Sequence, residues 1–160
     1  MARAETSDVL RPSILDRLID DSGASSFQGV TVRELKASVA RDVEWLLNTR
    51  VFCPWDLSGH DEARASLLTY GLPDLSSYSW TEAAHGRRIA ALIEERIKRF
   101  EPRIQERSVR CAVQRADDVA DFRLRVRIEA ILHVEPILEP VVFDSGLDLA
   151  GGSFRIESFE

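Results

Sequence analysis

The chain has 160 residues, of which 44% are hydrophobic and 30% charged, and its formal net charge at pH 7 is -6. This length allows one domain with a real core, and the composition is that of a folded protein rather than a disordered one. The negative charge argues against a general nucleic-acid-binding protein, although four arginines between Arg115 and Arg127 concentrate positive charge locally. No signal-peptide core opens the chain and no apolar run reaches membrane-spanning length. We therefore expect a cytoplasmic protein that does not insert into a membrane.

The first part of the chain has apolar residues at the spacing of amphipathic helices. Pro12 suits the first turn of a short helix that reaches Asp21. The apolar residues of this helix are Ile14, Leu15, Leu18 and Ile19. A second helix is predicted from about Val32 to Asn48, opened by a Thr31–Glu34 capping box. Its core-facing stripe comprises Leu35, Val39, Val43, Leu46 and Leu47.

Two more helices are predicted before the pattern changes. Asp61 is expected to cap a short helix that reaches Thr69, and Gly71 is expected to stop it. The longest helix is predicted from about Trp80 to Phe100, opened by a Ser79–Glu82 capping box. Its core-facing residues are Ile89, Leu92, Ile93, Ile97 and Phe100, and its expected surface ion pairs are Glu94–Lys98 and Glu95–Arg99.

From Ser108 onward the apolar residues recur at every second position, which is typical of half-buried antiparallel strands. The predicted strands are 109–114, 122–134, Val141–Phe143 and Phe154–Glu157, with a turn at Asp117–Asp118 after the first. Helices followed by a meander predict an α+β fold, in which N-terminal helices pack on a small, mostly antiparallel four-stranded sheet. Residues 1–9 are expected to be a flexible tail and residues 10–160 a single domain, with helices in 10–103 and the sheet in 108–160.

The outward face of the second strand carries Arg123, Arg125 and Arg127. A solvated face that discourages unwanted edge pairing is the simplest interpretation. A surface for a partner, together with an accessible edge that accepts an added strand, is the alternative.

Motifs for phosphate loops, nucleophile elbows and zinc proteases are absent from the sequence. Cys53 and His60 provide too few ligands for a metal site, so we predict no metal and no cofactor. Cys53 and Cys111 are expected to be reduced, with a single bridge as the alternative.

A pair of carboxylates would suffice for glycoside hydrolysis, with Glu101 as one member. Its candidate partners are Asp117, Asp118 and Asp121. Arg103, close by, favours an ionised Glu101, which suits binding better than general-acid catalysis. We therefore predict no catalytic residue and no enzymatic activity.

The segment Glu101-Pro102-Arg103 follows the longest helix. One interpretation is a helix end, where proline stops the helix and Arg103 meets the negative end of the helix dipole. The other is a clasp, in which opposite charges on a stiff backbone form charge-assisted hydrogen bonds to a partner protein.

Six blocks of the sequence form an ordered series. They are 10–18, 38–50, Tyr70–Leu75, Phe100–Arg103, Ile128–Leu132 and Glu139–Asp144. With these blocks the chain resembles the TssE family of type VI secretion baseplate subunits, which are relatives of the phage baseplate-wedge protein labelled "lysozyme-like". The resemblance extends from Leu10 to about Phe154.

The resemblance implies a structural subunit of the baseplate wedge, at the cytoplasmic side of a membrane-anchored secretion machine. Its implied partners are TssF, TssG and TssK in the wedge and the sheath subunits TssB and TssC, which add strands to its sheet. Glu101, Pro102 and Arg103 are implied to hold the wedge together. A wedge subunit of a phage tail or another contractile injection machine is the alternative, and a peptidoglycan glycosidase is a second one.

Overall fold

A computed structural model describes residues 10, 12–19, 29–53, 55–75, 83–115, 123–134, 137–148 and 151–160. The α-helices are α1 (Ile14–Ile19), α2 (Val32–Asn48), α3 (Asp61–Arg64) and α4 (Ala83–Phe100). Short 3-10 helices lie at Leu67–Thr69 and Glu106–Ser108. The strands β1 (Arg110–Arg115), β2 (Arg123–Val134), β3 (Ile137–Asp148) and β4 (Phe154–Phe159) form one antiparallel sheet in the order β1-β2-β3-β4. The α+β fold predicted from the sequence is confirmed.

Helix α2 begins and ends where the sequence pattern places it. Thr31 Oγ1 accepts from the Glu34 backbone N–H at 3.2 Å, and Glu34 Oε2 accepts from the Thr31 N–H at 2.7 Å, which confirms the capping box. All five residues of the predicted stripe are buried. The apolar face of α2 is therefore its contact with the core.

Helix α4 supplies the second helical layer of the core. Ile89, Ile93 and Ile97 are fully buried, while Leu92 and Phe100 pack against the core from its margin. The predicted surface pairs form, with Lys98 Nζ 3.1 Å from Glu94 Oε2 and Arg99 Nη2 3.3 Å from Glu95 Oε1. The predicted Ser79–Glu82 capping box and the start at Trp80 lie outside the described residues.

The short helix differs from its prediction. Asp61 is the first helical residue rather than the cap, and His60 occupies the cap position without a side-chain hydrogen bond. The helix ends at Arg64, because Ser66 Oγ accepts from the Leu68 N–H and opens a separate 3-10 turn. Gly71 was expected to stop this helix, but the helix ends well before it; Gly71 instead has a φ of +104°, and a Cβ there would lie 2.3 Å from the Thr49 carbonyl oxygen.

Strand β3 is much longer than the predicted Val141–Phe143. It has twelve residues and pairs with β2 from Ile137 to Asp148. Pro140 fits because Ile131, opposite it, directs its N–H to Ser108 and its C=O to Gln105, so no ladder hydrogen bond requires a proline N–H. The predicted Asp117–Asp118 turn lies outside the described residues.

The inner face of the sheet closes the core against α2 and α4. The buried apolar residues on the inward face of β2 and β3 are Leu124, Val126, Ile128, Ala130, Leu132, Val141, Phe143 and Leu147. Phe143 is the largest fully buried side chain of the described residues. The alternation of buried and exposed residues along β2 confirms the predicted half-buried strand.

Candidate partner-binding site

The Glu101-Pro102-Arg103 segment forms an ion pair within the chain. Glu101 follows the last residue of α4 and is only 5% exposed. Arg103 donates from Nε to Glu101 Oε1 at 2.7 Å and from Nη2 to Glu101 Oε2 at 2.5 Å. The Arg103 backbone N–H also donates to Oε1 at 3.1 Å. The two opposite charges thus meet each other in a bidentate geometry, and Pro102 is exposed beside them.

This pair continues into a row of alternating charges on α2 and α1. Arg103 Nη2 lies 2.6 Å from Asp42 Oδ2, and Arg41 Nη2 lies 3.0 Å from Asp42 Oδ1. Arg41 Nη1 lies 2.5 Å from Asp16 Oδ1 on α1. We call the row Asp16–Arg41–Asp42–Arg103–Glu101 the ion chain. It joins three segments that lie far apart in the sequence.

Ser38 lies at the centre of the ion chain. Its hydroxyl donates to Asp16 Oδ2 at 2.9 Å and accepts from Arg41 Nη2 and from Arg103 Nη1, both at 3.3 Å. Because Ser38, Arg41 and Asp42 fall within one turn of α2, the helix aims all three side chains at the same side. The α2 block therefore supplies the middle of the network.

The electrostatics match this geometry. Burial opposes the charge of Arg103, but its hydrogen bonds and attraction to Glu101, and then to Asp42, raise its pKa above the usual range. The hydrogen bond from Arg41 outweighs partial burial and holds the pKa of Asp16 well below the usual range. The reciprocal bond to Asp16 raises the pKa of Arg41. All three groups stay charged at neutral pH.

The segment is also tied to the sheet. The His133 backbone N–H donates to the Arg103 carbonyl at 2.8 Å, and Gln105 N–H donates to the Ile131 carbonyl at 2.9 Å. Buried Ile104 forms an isolated bridge with Leu132. The Glu101–Arg103 end of the ion chain is thus held between β2 and α2 by backbone hydrogen bonds and ion pairs.

The comparison with protein families adds an independent observation. The sequence profile of the baseplate wedge protein gp25 family matches residues 33–137. This span covers about two thirds of the chain and contains nearly all of α2, the whole of α4 and most of the ion chain. The chain belongs to the baseplate wedge protein gp25 family. No curated protein and no solved structure matched in the other two comparisons.

Membership of this family, which includes TssE, gives the chain a structural role in the baseplate of a phage-like machine, assembled with other baseplate proteins. For a member of the family, the ion chain is then a candidate element of that assembly. Asp16 lies outside the matched span, whereas the other four charged residues lie inside it.

The arginine face of the wedge protein is partly neutralised. Arg125 and Arg127 are exposed, as predicted, while the side chain of Arg123 lies outside the described part of the structure. Arg127 Nε lies 3.1 Å from Glu129 Oε1, and Arg127 Nη1 lies 2.9 Å from Asp144 Oδ1. The bond to Glu129 and the charge of Asp144 raise the pKa of Arg127. This face is a mixed-charge surface rather than a purely basic one.

Helix side chains occupy parts of both sheet edges. Asn48 of α2 pairs with Phe154 on β4 through two hydrogen bonds of 2.8 Å, and Glu44 accepts from the Ile156 N–H at 2.7 Å. On the opposite edge, Glu94 of α4 accepts from the Cys111 N–H at 2.9 Å. The accessible edge expected from the sequence is therefore closed at these residues.

Several residues of the site were not predicted from the sequence. The blocks 10–18 and 38–50 contain all of them but gave none of them a role in binding: Asp16, Ser38, Arg41, Asp42, Glu44 and Asn48. The available signal is that Ser38, Arg41 and Asp42 recur at helical spacing and therefore lie on one side of α2. In the described residues no group of carboxylates, histidines and cysteines could hold a metal ion, and no helix could span a membrane.

Proposed function

We propose that this family member is a TssE-like wedge subunit of a type VI secretion baseplate. It joins TssF, TssG and TssK in the wedge, on the cytoplasmic side of the membrane-anchored machine, and acts without a catalytic step. The observation that carries the proposal is the family match over residues 33–137, together with the resemblance of the six blocks to TssE. The ion chain supports it, because three of these blocks converge there.

The test is co-purification of the tagged chain with co-expressed TssF and TssG from a type VI gene cluster. A stable complex is expected, and it should be lost on combining Glu101→Leu with Arg103→Met. The control is the pair Glu95→Leu and Arg99→Met, a partly exposed ion pair on α4 that lies outside the ion chain. No complex with the unaltered chain would refute the proposal.

A wedge subunit of a phage tail or another contractile injection machine is the second candidate, because the matching family is described by its baseplate wedge protein. The same co-purification separates the two. If the chain does not bind TssF and TssG but binds the wedge proteins of a phage-like tail, it belongs to the second class.

We further propose that a sheath subunit, TssB or TssC, adds a strand to β4 beyond Ile156. Val142 and Glu160 exchange two hydrogen bonds of 3.1 Å, so the neighbouring Phe159 directs its N–H and C=O away from β3. Phe159 therefore offers the backbone groups on which strand addition depends. Arg125 and Arg127 on the outward face of the sheet would contribute short-range attraction for an acidic sheath segment, although Arg127 is shared with Glu129 and Asp144.

Two sets of variants test the sheath contact. Phe159→Pro removes the edge N–H without breaking a bond to β3, whereas Phe159→Leu retains it. Sheath polymerisation on assembled baseplates should stop with proline and continue with leucine. The substitutions Arg125→Glu and Arg127→Glu together should slow sheath assembly, while the melting temperature of the subunit stays within a few degrees of that of the unaltered chain. Unchanged assembly in both sets would refute the sheath contact and leave the wedge role standing.

A further inference from the structure

Helix α1 exposes its apolar side. None of its six residues is buried, and Ile14 and Leu18 are 75% and 78% exposed. Leu15 and Ile19 are exposed as well. The spacing of these four residues places them along one stripe of the helix. An exposed apolar stripe of this kind is typical of a surface that another molecule covers.

Polar contacts hold α1 in place. The Asp16 carboxylate accepts hydrogen bonds from Ser38 at 2.9 Å and from Arg41 at 2.5 Å. The Ser13 hydroxyl donates to the same carboxylate and accepts from the Asp16 backbone N–H. Arg41 is in turn fixed by Asp42, which Arg103 binds at 2.6 Å. The position of α1 therefore depends on the ion chain, which begins at the buried Glu101.

A cleft of about 340 Å³ lies between α1 and α2. Its apolar lining comes from Pro12, Val30, Leu35 and Ala37, and its polar lining from Ser13, Asp16, Glu34, Ser38 and Arg41. Glu34 uses Oε2 for both of its bonds to Thr31, which lower its pKa and keep it ionised. With two carboxylates and one guanidinium, the charged lining is net negative. A long side chain with an apolar stem and a positive end fits this chemistry.

We propose that α1 and this cleft are the docking surface for an amphipathic helix of another wedge subunit, one with an apolar stripe and a lysine or arginine beside it. The apolar stripe packs on Ile14 and Leu18, and the cationic side chain enters the cleft toward Glu34. Glu101 and Arg103 are positioning residues: they hold α1 through Asp42 and Arg41. This inference rests on the proposed wedge function and names the surface that carries it.

The size and charge of the surface favour a different subunit over a second copy of the chain. The four apolar side chains expose on the order of a few hundred Å², whereas a stable interface buries about 800 Å² on each partner. A symmetric contact through α1 alone would therefore be weak. A helix that covers α1, the cleft and the exposed Pro102 would bury more and would bring the required positive charge.

The test measures binding of purified variants to the TssF–TssG complex by isothermal titration calorimetry. Ile14→Glu with Leu18→Glu should weaken binding at least tenfold and leave the melting temperature unchanged, because both residues are already exposed. The matched control is Leu67→Glu, at a leucine that is 81% exposed on a different element, and it should bind like the unaltered chain. Glu34→Gln keeps an oxygen for the capping box and should weaken binding by a smaller factor.

The positioning role has its own readout. Asp16→Asn weakens the bond to Arg41 without touching the stripe, so binding should fall while the melting temperature stays constant and hydrogen exchange of the α1 amides accelerates. A purely stabilising role would lower the melting temperature instead, and would overturn this part of the inference.

The remaining outcomes are distinguishable. If the unaltered chain binds TssF–TssG and the Ile14 and Leu18 variant binds equally well, the docking surface is wrong and the wedge function stands. If the unaltered chain does not bind at all, the proposed function fails and the inference fails with it. Concentration-dependent dimers of the unaltered chain that Leu18→Glu abolishes, seen by light scattering, would assign the stripe to a second copy and overturn the proposal.

Discussion

The contact between Glu101 and Arg103 should be strongly coupled, and a double-mutant cycle measures it. In Arg103→Met, Glu101 keeps its charge at a position that is 5% exposed and loses both side-chain hydrogen bonds. Removal of one partner of a buried pair costs about 3–5 kcal/mol, and the 22% exposure of the Arg103 side chain places this variant near 3 kcal/mol.

The reverse change should be milder. In Glu101→Leu, Arg103 retains Asp42 and Ser38, so we expect a loss of about 1–2 kcal/mol. With both changes together no buried charge is left unpaired at this position, and the loss should stay near 2 kcal/mol rather than reach the sum of about 4–5 kcal/mol. The expected coupling energy is therefore about 2–3 kcal/mol.

The assay is urea unfolding of the four proteins at pH 7, monitored by circular dichroism. The matched control is the same cycle on Glu95 and Arg99, a helical pair that is more exposed, where coupling should not exceed about 0.5 kcal/mol. Additivity within about 0.5 kcal/mol at Glu101 and Arg103 would show that the ion pair is incidental and refute the reasoning.

Three other predictions concern single positions. Gly71→Ala should destabilise the fold by about 3 kcal/mol, because φ is positive and a Cβ would clash with backbone, whereas Gly59→Ala, in open space, should cost about 1 kcal/mol by thermal unfolding. Burial, and then the charge of Glu94, raise the pKa of Cys111 to about 12, so at pH 8 Ellman's reagent should modify Cys53 first; equal rates would contradict this. Because the pKa of Asp16 is lowered, Asp16 is ionised and binds Arg41 fully above about pH 4, and this bond is lost only at lower pH. Hydrogen-exchange protection of the α1 amides, corrected for the intrinsic exchange rate, should therefore be constant from about pH 5 to 7. A decline of protection in that range would contradict this.

Helices and strands whose apolar residues recur with a single period were predicted well from the sequence. Helix α2 has one apolar stripe and a capping box, and β2 alternates without interruption, so both were confirmed close to their bounds. Strand β3 was underestimated because Pro140 and Gly146 interrupt the pattern. Whether a proline breaks a strand depends on which way its backbone faces, and this is decided by tertiary contacts such as those of Ile131 with Ser108 and Gln105.

The site was predicted only in part, for a similar reason. The sequence indicates that Glu101, Pro102 and Arg103 form a unit. Whether the two charges face each other or a partner protein depends on how deeply they are buried, and the identities of three residues do not reveal burial. Arg41 and Asp42 are adjacent to buried α2 residues, where the charged residues of an amphipathic helix are usually solvated, so the sequence gives no indication that they are paired. Their partners lie 25 and 61 residues away along the chain, so only the folded structure shows the pairing.

The burial of Glu101 constrains the role in assembly that the resemblance to TssE implies for it. A carboxylate whose two oxygens are both bound by Arg103 has little capacity left for a partner protein. Its influence must then pass through the groups it positions, and the ion chain leads from it to α1. Mutation of Glu101 and mutation of the α1 stripe should therefore both weaken wedge binding, but only the former should also lower stability. That difference separates a residue that positions the surface from residues that form it.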